Sequence, residues 1–144
     1  LCAISFAKRG NTSLFAIAYP FEESFYHESY HYIERYMFKV GASLLLDNGE
    51  IVTGCNVENI TPAPCCCAEQ VAVTSAVKQG HTNFIAIAVY GNGEDYCFPC
   101  GSCRQLLVEF NPEMDVVVAK SVEDFKVFKA KDLLPYFFSP KSLK

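Results

Sequence analysis

Two short segments, Cys67-Ala68-Glu69 and Pro99-Cys100-Gly101-Ser102-Cys103, each stand at the head of a stretch patterned as a helix. Thiolate rather than thiol binds metal, and a helix N-terminus stabilises negative charge through its unpaired N–H groups and its dipole. A fold that sets these two helix starts side by side gathers three thiolates around one point. Three protein ligands on zinc leave the fourth position of the tetrahedron open, which separates a hydrolytic centre from a closed structural one. Water in that position becomes far more acidic, and Glu69, two residues after the first thiol, is placed to handle its protons without being a ligand.

Other arithmetic narrows the class. Eight cysteines in 144 residues would suit a secreted disulfide framework, but the apolar start is broken by Lys8, Arg9 and Gly10, and Leu14 to Tyr19 is too short for the core of a secretory signal. Cys65, Cys66 and Cys67 are consecutive, and neighbours in sequence do not readily all find disulfide partners of good geometry. These features predict a reducing, cytoplasmic setting, with thiols available to a metal. No run approaches the eighteen or so apolar residues of a membrane span. Twelve Lys and Arg against sixteen Asp and Glu leave a formal charge of −4, the wrong sign for tracking a nucleic acid backbone. A small neutral or cationic ligand is favoured. The chain begins with Leu, which reads as a fragment or a processed product.

With 51% hydrophobic residues and no repeat or linker, residues 1–144 are expected to form a single domain. Asp47-Asn48-Gly49 between FKVGASLLL and EIVTGC predicts a β-hairpin. Cys67 to Lys78 reads as a helix stopped by Gly80, Asn83 to Tyr90 as a buried strand, and Gly101 to Phe110 as a second helix closed by Pro112. Met114 to Ala119 and Phe125 to Phe128 are further strands, Lys131 to Phe137 a last short helix, and Phe21 to Tyr36 an aromatic-rich helix. That order predicts an α/β protein: a three-layer α/β/α arrangement around a mixed sheet of about five strands.

Several motifs in order resemble the cytidine deaminase family: Val40-Gly41-Ala42, Gly54-Cys55-Asn56-Val57-Glu58-Asn59, CAE, PCGSCRQ, and the ending Leu133-Leu134-Pro135 through Phe138 and Pro140. The paired C-x-E and P-C-x-x-C spacing is the Cys-ligated form of a zinc deaminase signature. These matches run from Phe38 to Pro140; residues 1–36 match the family poorly. The resemblance implies one Zn²⁺ per chain on Cys67, Cys100 and Cys103, with Glu69 as the proton shuttle. It implies that Asn56 and Glu58 hydrogen-bond the ribose and that Phe38 packs against the pyrimidine. Phe138 would reach the site of a neighbouring subunit in a homotetramer. The implied activity is deamination of free cytidine or deoxycytidine in pyrimidine salvage. Gln70 stands where the family usually has Arg, a cation offsetting the −1 left when three thiolates meet Zn²⁺; either the zinc-bound water is then less easily managed or Arg104 compensates. Glu34-Arg35-Tyr36 replaces the family's Pro-Tyr-Ser, and Pro62-Ala63 its Tyr-Gly.

Other readings compete. His27-Glu28-Ser29-Tyr30-His31 is a literal H-E-x-x-H, the zinc motif of a metalloprotease, but its flanks are weakly helical and His81 is the one other histidine available as a third ligand. A structural cysteine–zinc module would make no use of Glu69. An editing deaminase on polynucleotide is disfavoured by the acidic balance, and an inactive relative would share every motif.

Overall fold

The computed structural model describes residues 7–8, 14–15, 38–58, 65–121 and 123–139. A two-residue pair, β1 (Ala7–Lys8) against β2 (Leu14–Phe15), precedes the main sheet. That sheet is built from β3 (Val40–Leu46), β4 (Ile51–Cys55), β5 (Phe84–Gly91), β6 (Asp115–Ala119) and β7 (Phe125–Lys129), in the order β4-β3-β5-β6-β7. Only β5 and β6 pair in parallel; the remaining neighbours are antiparallel, so the sheet is mixed. Between strands lie α1 (Ala68–Lys78) and α2 (Gly101–Phe110), with α3 (Ala130–Leu133) after β7. The α/β class and the five strands agree with expectation.

The hairpin forms where the turn chemistry places it, with Gly49 at φ +86° and Leu45 opposite Ile51. Period-two alternation then divides the sheet residues between its faces. Ala42, Leu44, Leu46, Val52, Ile87, Val89, Val116 and Val118 share one face and pack with Ala72, Val73 and Ala76 of α1, Leu107 and Val108 of α2, and Ala130 of α3. Ala88, Val117 and Phe125 meet on the other face. All three described helices therefore lie on one side of the sheet. The helix expected over Phe21–Tyr36 falls outside the described residues, as do the H-E-x-x-H segment and Pro62-Ala63.

Two differences are local. The last helix ends at Leu133 rather than Phe137. Pro135 disfavours helical backbone in the residue before it, and Leu134 accordingly sits at φ −142°, ψ 74°. Cys66 is exposed rather than packed as a small hydrophobe, and its backbone forms a two-bond antiparallel bridge with Val57.

Close approach of α1 to the sheet depends on Gly54. A Cβ there would stand 2.3 Å from the Ala68 carbonyl oxygen and 2.5 Å from the Ala72 nitrogen. The absent side chain lets the first turn of α1 rest directly on β4, and that turn carries Glu69.

Candidate active site

The site lies beyond the carboxyl ends of β4 and β5, the usual place for ligands in α/β sheets. Cys67 is the N-cap of α1 (φ −71°, ψ 153°) and Cys100 the N-cap of α2 (φ −67°, ψ 168°), with Cys103 in the first turn of α2. The sulfurs of Cys67, Cys100 and Cys103 all lie within 4.8 Å of one another. Cys67 Sγ and Cys100 Sγ are 3.7 Å apart. Two thiolates on a tetrahedral zinc with bonds of about 2.3 Å stand about 3.8 Å apart, so the donor set fits that ion. It is the one such cluster of metal-ligating side chains among the described residues.

The three sulfurs differ in how readily they ionise. Burial pushes the Cys67 thiol up to about 11, and burial together with the nearby Glu69 and the other two sulfurs raises Cys103 further. Cys100 is also pushed up by burial. Hydrogen bonds from the Cys103 backbone and side chain, the Cys67 side chain and the Ser102 backbone outweigh that and bring it below the ordinary thiol value. The helix start thus favours one thiolate, while the other two sulfurs resist ionising until a cation arrives.

Glu69 is 3% exposed, and burial raises its carboxyl pKa against the opposing hydrogen bonds of its own backbone N–H and of Cys103. A buried carboxyl with a raised pKa is suited to take up and return a proton near neutral pH. Cys97 stands close enough for Glu69 to contribute to its raised pKa of about 11, where burial is the larger cause.

Gln70 acts as a cap. Its Oε1 accepts the Cys67 backbone N–H at 3.2 Å, closing a capping box in which a cysteine occupies the N-cap. A glutamine three residues after Cys67 was the available sequence signal for this. Arg104 does not take the part of a charge partner. Its Nε donates to the Pro99 carbonyl at 2.8 Å and its Nη1 to the Leu133 carbonyl at 3.0 Å, tying α2 to the residue before Cys100 and to α3. No ion pair among the described residues involves Glu69.

The expected sugar- and base-binding residues stand on strand ends. Asn56 donates through Nδ2 to the Phe38 carbonyl at 2.9 Å and to Glu58 Oε1 at 3.0 Å, and accepts the Val40 N–H at 2.9 Å. Both of its donor hydrogens are thereby engaged, and Glu58 is held with one oxygen toward Asn56. The Val57–Cys66 bridge, with bonds of 2.9 Å in both directions, sets this segment beside the cysteine preceding Cys67. Phe38 is 43% exposed. Phe138 is 56% exposed, and its carbonyl accepts Gln105 Nε2 at 2.8 Å. The structure thus brings together the three cysteines and Glu69, and separately Asn56, Glu58 and Phe38, while Phe138 is exposed apart from them.

Comparison with known proteins gives a consistent family. The zinc-binding region of cytidine and deoxycytidylate deaminases matches residues 18–120. A cytidine deaminase of Sporosarcina psychrophila is 39% identical over 113 residues, covering 78% of this chain and 83% of the relative. One from Halalkalibacterium halodurans is 32% identical over 113 residues, covering 78% and 86%. Among solved structures, cytidine deaminase from Burkholderia pseudomallei superposes with a TM-score of 0.69 at 42% identity, covering 74% of this chain and 87% of that one. The Mycobacterium tuberculosis cytidine deaminase gives 0.61 at 34% identity, covering 74% and 84%.

Proposed function

The chain belongs to the cytidine and deoxycytidylate deaminase family, and from that premise we propose that it hydrolyses free cytidine and deoxycytidine to the uracil nucleosides and ammonia. The observation that carries this reading is the convergence of three cysteine sulfurs on one point beside a buried glutamate. Cys67, Cys100 and Cys103 would hold zinc, which when bound supplies an acidified water in its open fourth position. Glu69 accepts a proton from the attacking water and passes it to ring N3 as the oxygen bonds to C4. It then takes the remaining proton from the oxygen now on C4 and passes it to the exocyclic amine, so that the C4–N bond breaks, the C4 carbonyl forms and ammonia leaves.

Glu58 accepts hydrogen bonds from the ribose hydroxyls. Asn56, its donors engaged, fixes Glu58 and offers the remaining lone pair of its own Oδ1. Phe38 supplies an apolar face for the pyrimidine. The exposed ring of Phe138 suits a residue completed by a neighbouring subunit of a homotetramer. A reaction on free nucleosides serves pyrimidine salvage, and a cytoplasmic setting suits a chain whose sequence runs three cysteines together. No described helix is long and apolar enough to cross a membrane.

Zinc-loaded protein incubated with cytidine should yield uridine and ammonia in equal amounts, and should leave cytosines in single-stranded DNA or RNA intact. Turnover of the polynucleotide without turnover of cytidine would contradict the reading.

A further inference from the structure

Phe38 and Lys39 precede the first residue of β3, yet both sides of this segment are held by asparagine side chains. On the β4 side, Asn56 bonds the Phe38 carbonyl and the Val40 N–H. On the β5 side, the last paired residues are Val40 and Gly91, and Asn92 carries the ladder one step further. Its backbone N–H donates to the Lys39 carbonyl at 3.0 Å, and its Oδ1 accepts the Lys39 N–H at 2.9 Å, standing in for a strand carbonyl. The glycines flanking Asn92 make room for the ring. A Cβ on Gly93 would lie 2.8 Å from Phe38 Cε2, and one on Gly91 would lie 2.9 Å from Phe38 Cζ and 3.1 Å from Cys97 Sγ. The ring therefore rests on the bare backbone of residues 91 and 93, close to the thiol that senses Glu69.

We infer that Asn92, between Gly91 and Gly93, is a positioning residue that sets the plane of the Phe38 ring and thereby the fit of the substrate base. The inference rests on the deaminase reading above for the identity of that base, but the ring placement does not. Rigidly held groups lower the cost of receiving a ligand, so loosening or tilting the ring weakens binding more than it slows the chemistry. Gly93 is exposed and outside the left-handed region, so an added methyl group acts mainly through the ring it touches.

The test combines two readouts on the zinc-loaded full chain. 4-Fluorophenylalanine placed at position 38 reports the ring environment by 19F NMR without turnover. Asn92→Ala and Gly93→Ala should each shift or broaden that signal and raise KM for cytidine roughly tenfold, the scale of one lost hydrogen bond, with kcat within about twofold and zinc content unchanged. Asn92→Asp, which retains the acceptor for the Lys39 N–H, should restore both. Gly93→Ala in a Phe38→Ala background should add no further change in KM. An unmoved 19F signal in Asn92→Ala and Gly93→Ala would overturn the inference, as would a parallel loss of kcat and zinc. Absence of cytidine turnover in the wild type would sink the deaminase reading alone, since the 19F signal still decides whether Asn92 holds the ring.

Discussion

The metal-binding half of the site and its sugar- and base-binding half are built by different means. Around Cys67, Glu69 and Cys103 the geometry is a packing result: two helix starts are pressed together, Cys103 and Glu69 are 0% and 3% exposed, and Gly54 lets α1 touch the sheet. Around Phe38, Asn56 and Glu58 it is a hydrogen-bonding result on strand ends, with Phe38 43% exposed. The first half depends on backbone placement that tolerates almost no change. The second depends on side-chain amides whose loss costs about 1 kcal/mol each and leaves the fold standing. Metal retention and substrate affinity should therefore respond to different substitutions.

The largest expected effect is at a ligand. Cys103→Ala should reduce zinc affinity by far more than the 10- to 100-fold typical of losing an outer partner, and abolish turnover, as read by metal analysis and a chelator competition. Next comes Gly54→Ala, whose Cβ would meet the Ala68 carbonyl oxygen at 2.3 Å. Overpacking of that kind costs about 1–3 kcal/mol, so the thermal midpoint should fall and zinc should dissociate faster, although residue 54 touches no ligand. On the other half, Glu58→Ala should raise KM roughly tenfold with zinc content unchanged. Asn56→Ala should match it and also lower the thermal midpoint, because Asn56 ties Phe38 and Val40 as well as Glu58. If Glu58→Ala released zinc, the separation of the two halves would fail. The smallest effect belongs to Gln70. Gln70→Ala should lower the stability of the metal-free protein by about 1 kcal/mol through the lost cap, and Gln70→Glu, which keeps the acceptor for the Cys67 N–H, should not.

The same contrast governs what the chain made legible beforehand. The metal half could be read because its chemistry is local: C-x-E and P-C-x-x-C each fall within one helix start, and spacing alone sets which sulfurs converge. The hairpin was readable because Asp47-Asn48-Gly49 has few other uses. Less was legible where distant segments meet. Asn92 lies 53 residues from Lys39, and Gly54 meets Ala68 only once β4 and α1 are packed. No local pattern marks either. Arg104 follows Cys103 in sequence, but a side chain one position later on a helix turns about 100° away, and its guanidinium meets two carbonyls rather than the thiolates. The early end of the last helix has a plainer cause, since Pro135 disfavours helical backbone at Leu134.

The most direct test of the account is Glu69→Gln, which keeps the size of the buried side chain and removes its ability to shuttle protons. With cytidine as substrate, followed by its loss of absorbance beside a zinc determination on the same sample, the account predicts full metal content and a kcat lower by at least about a hundredfold. Wild-type-like turnover in Glu69→Gln, with zinc in place, would contradict it.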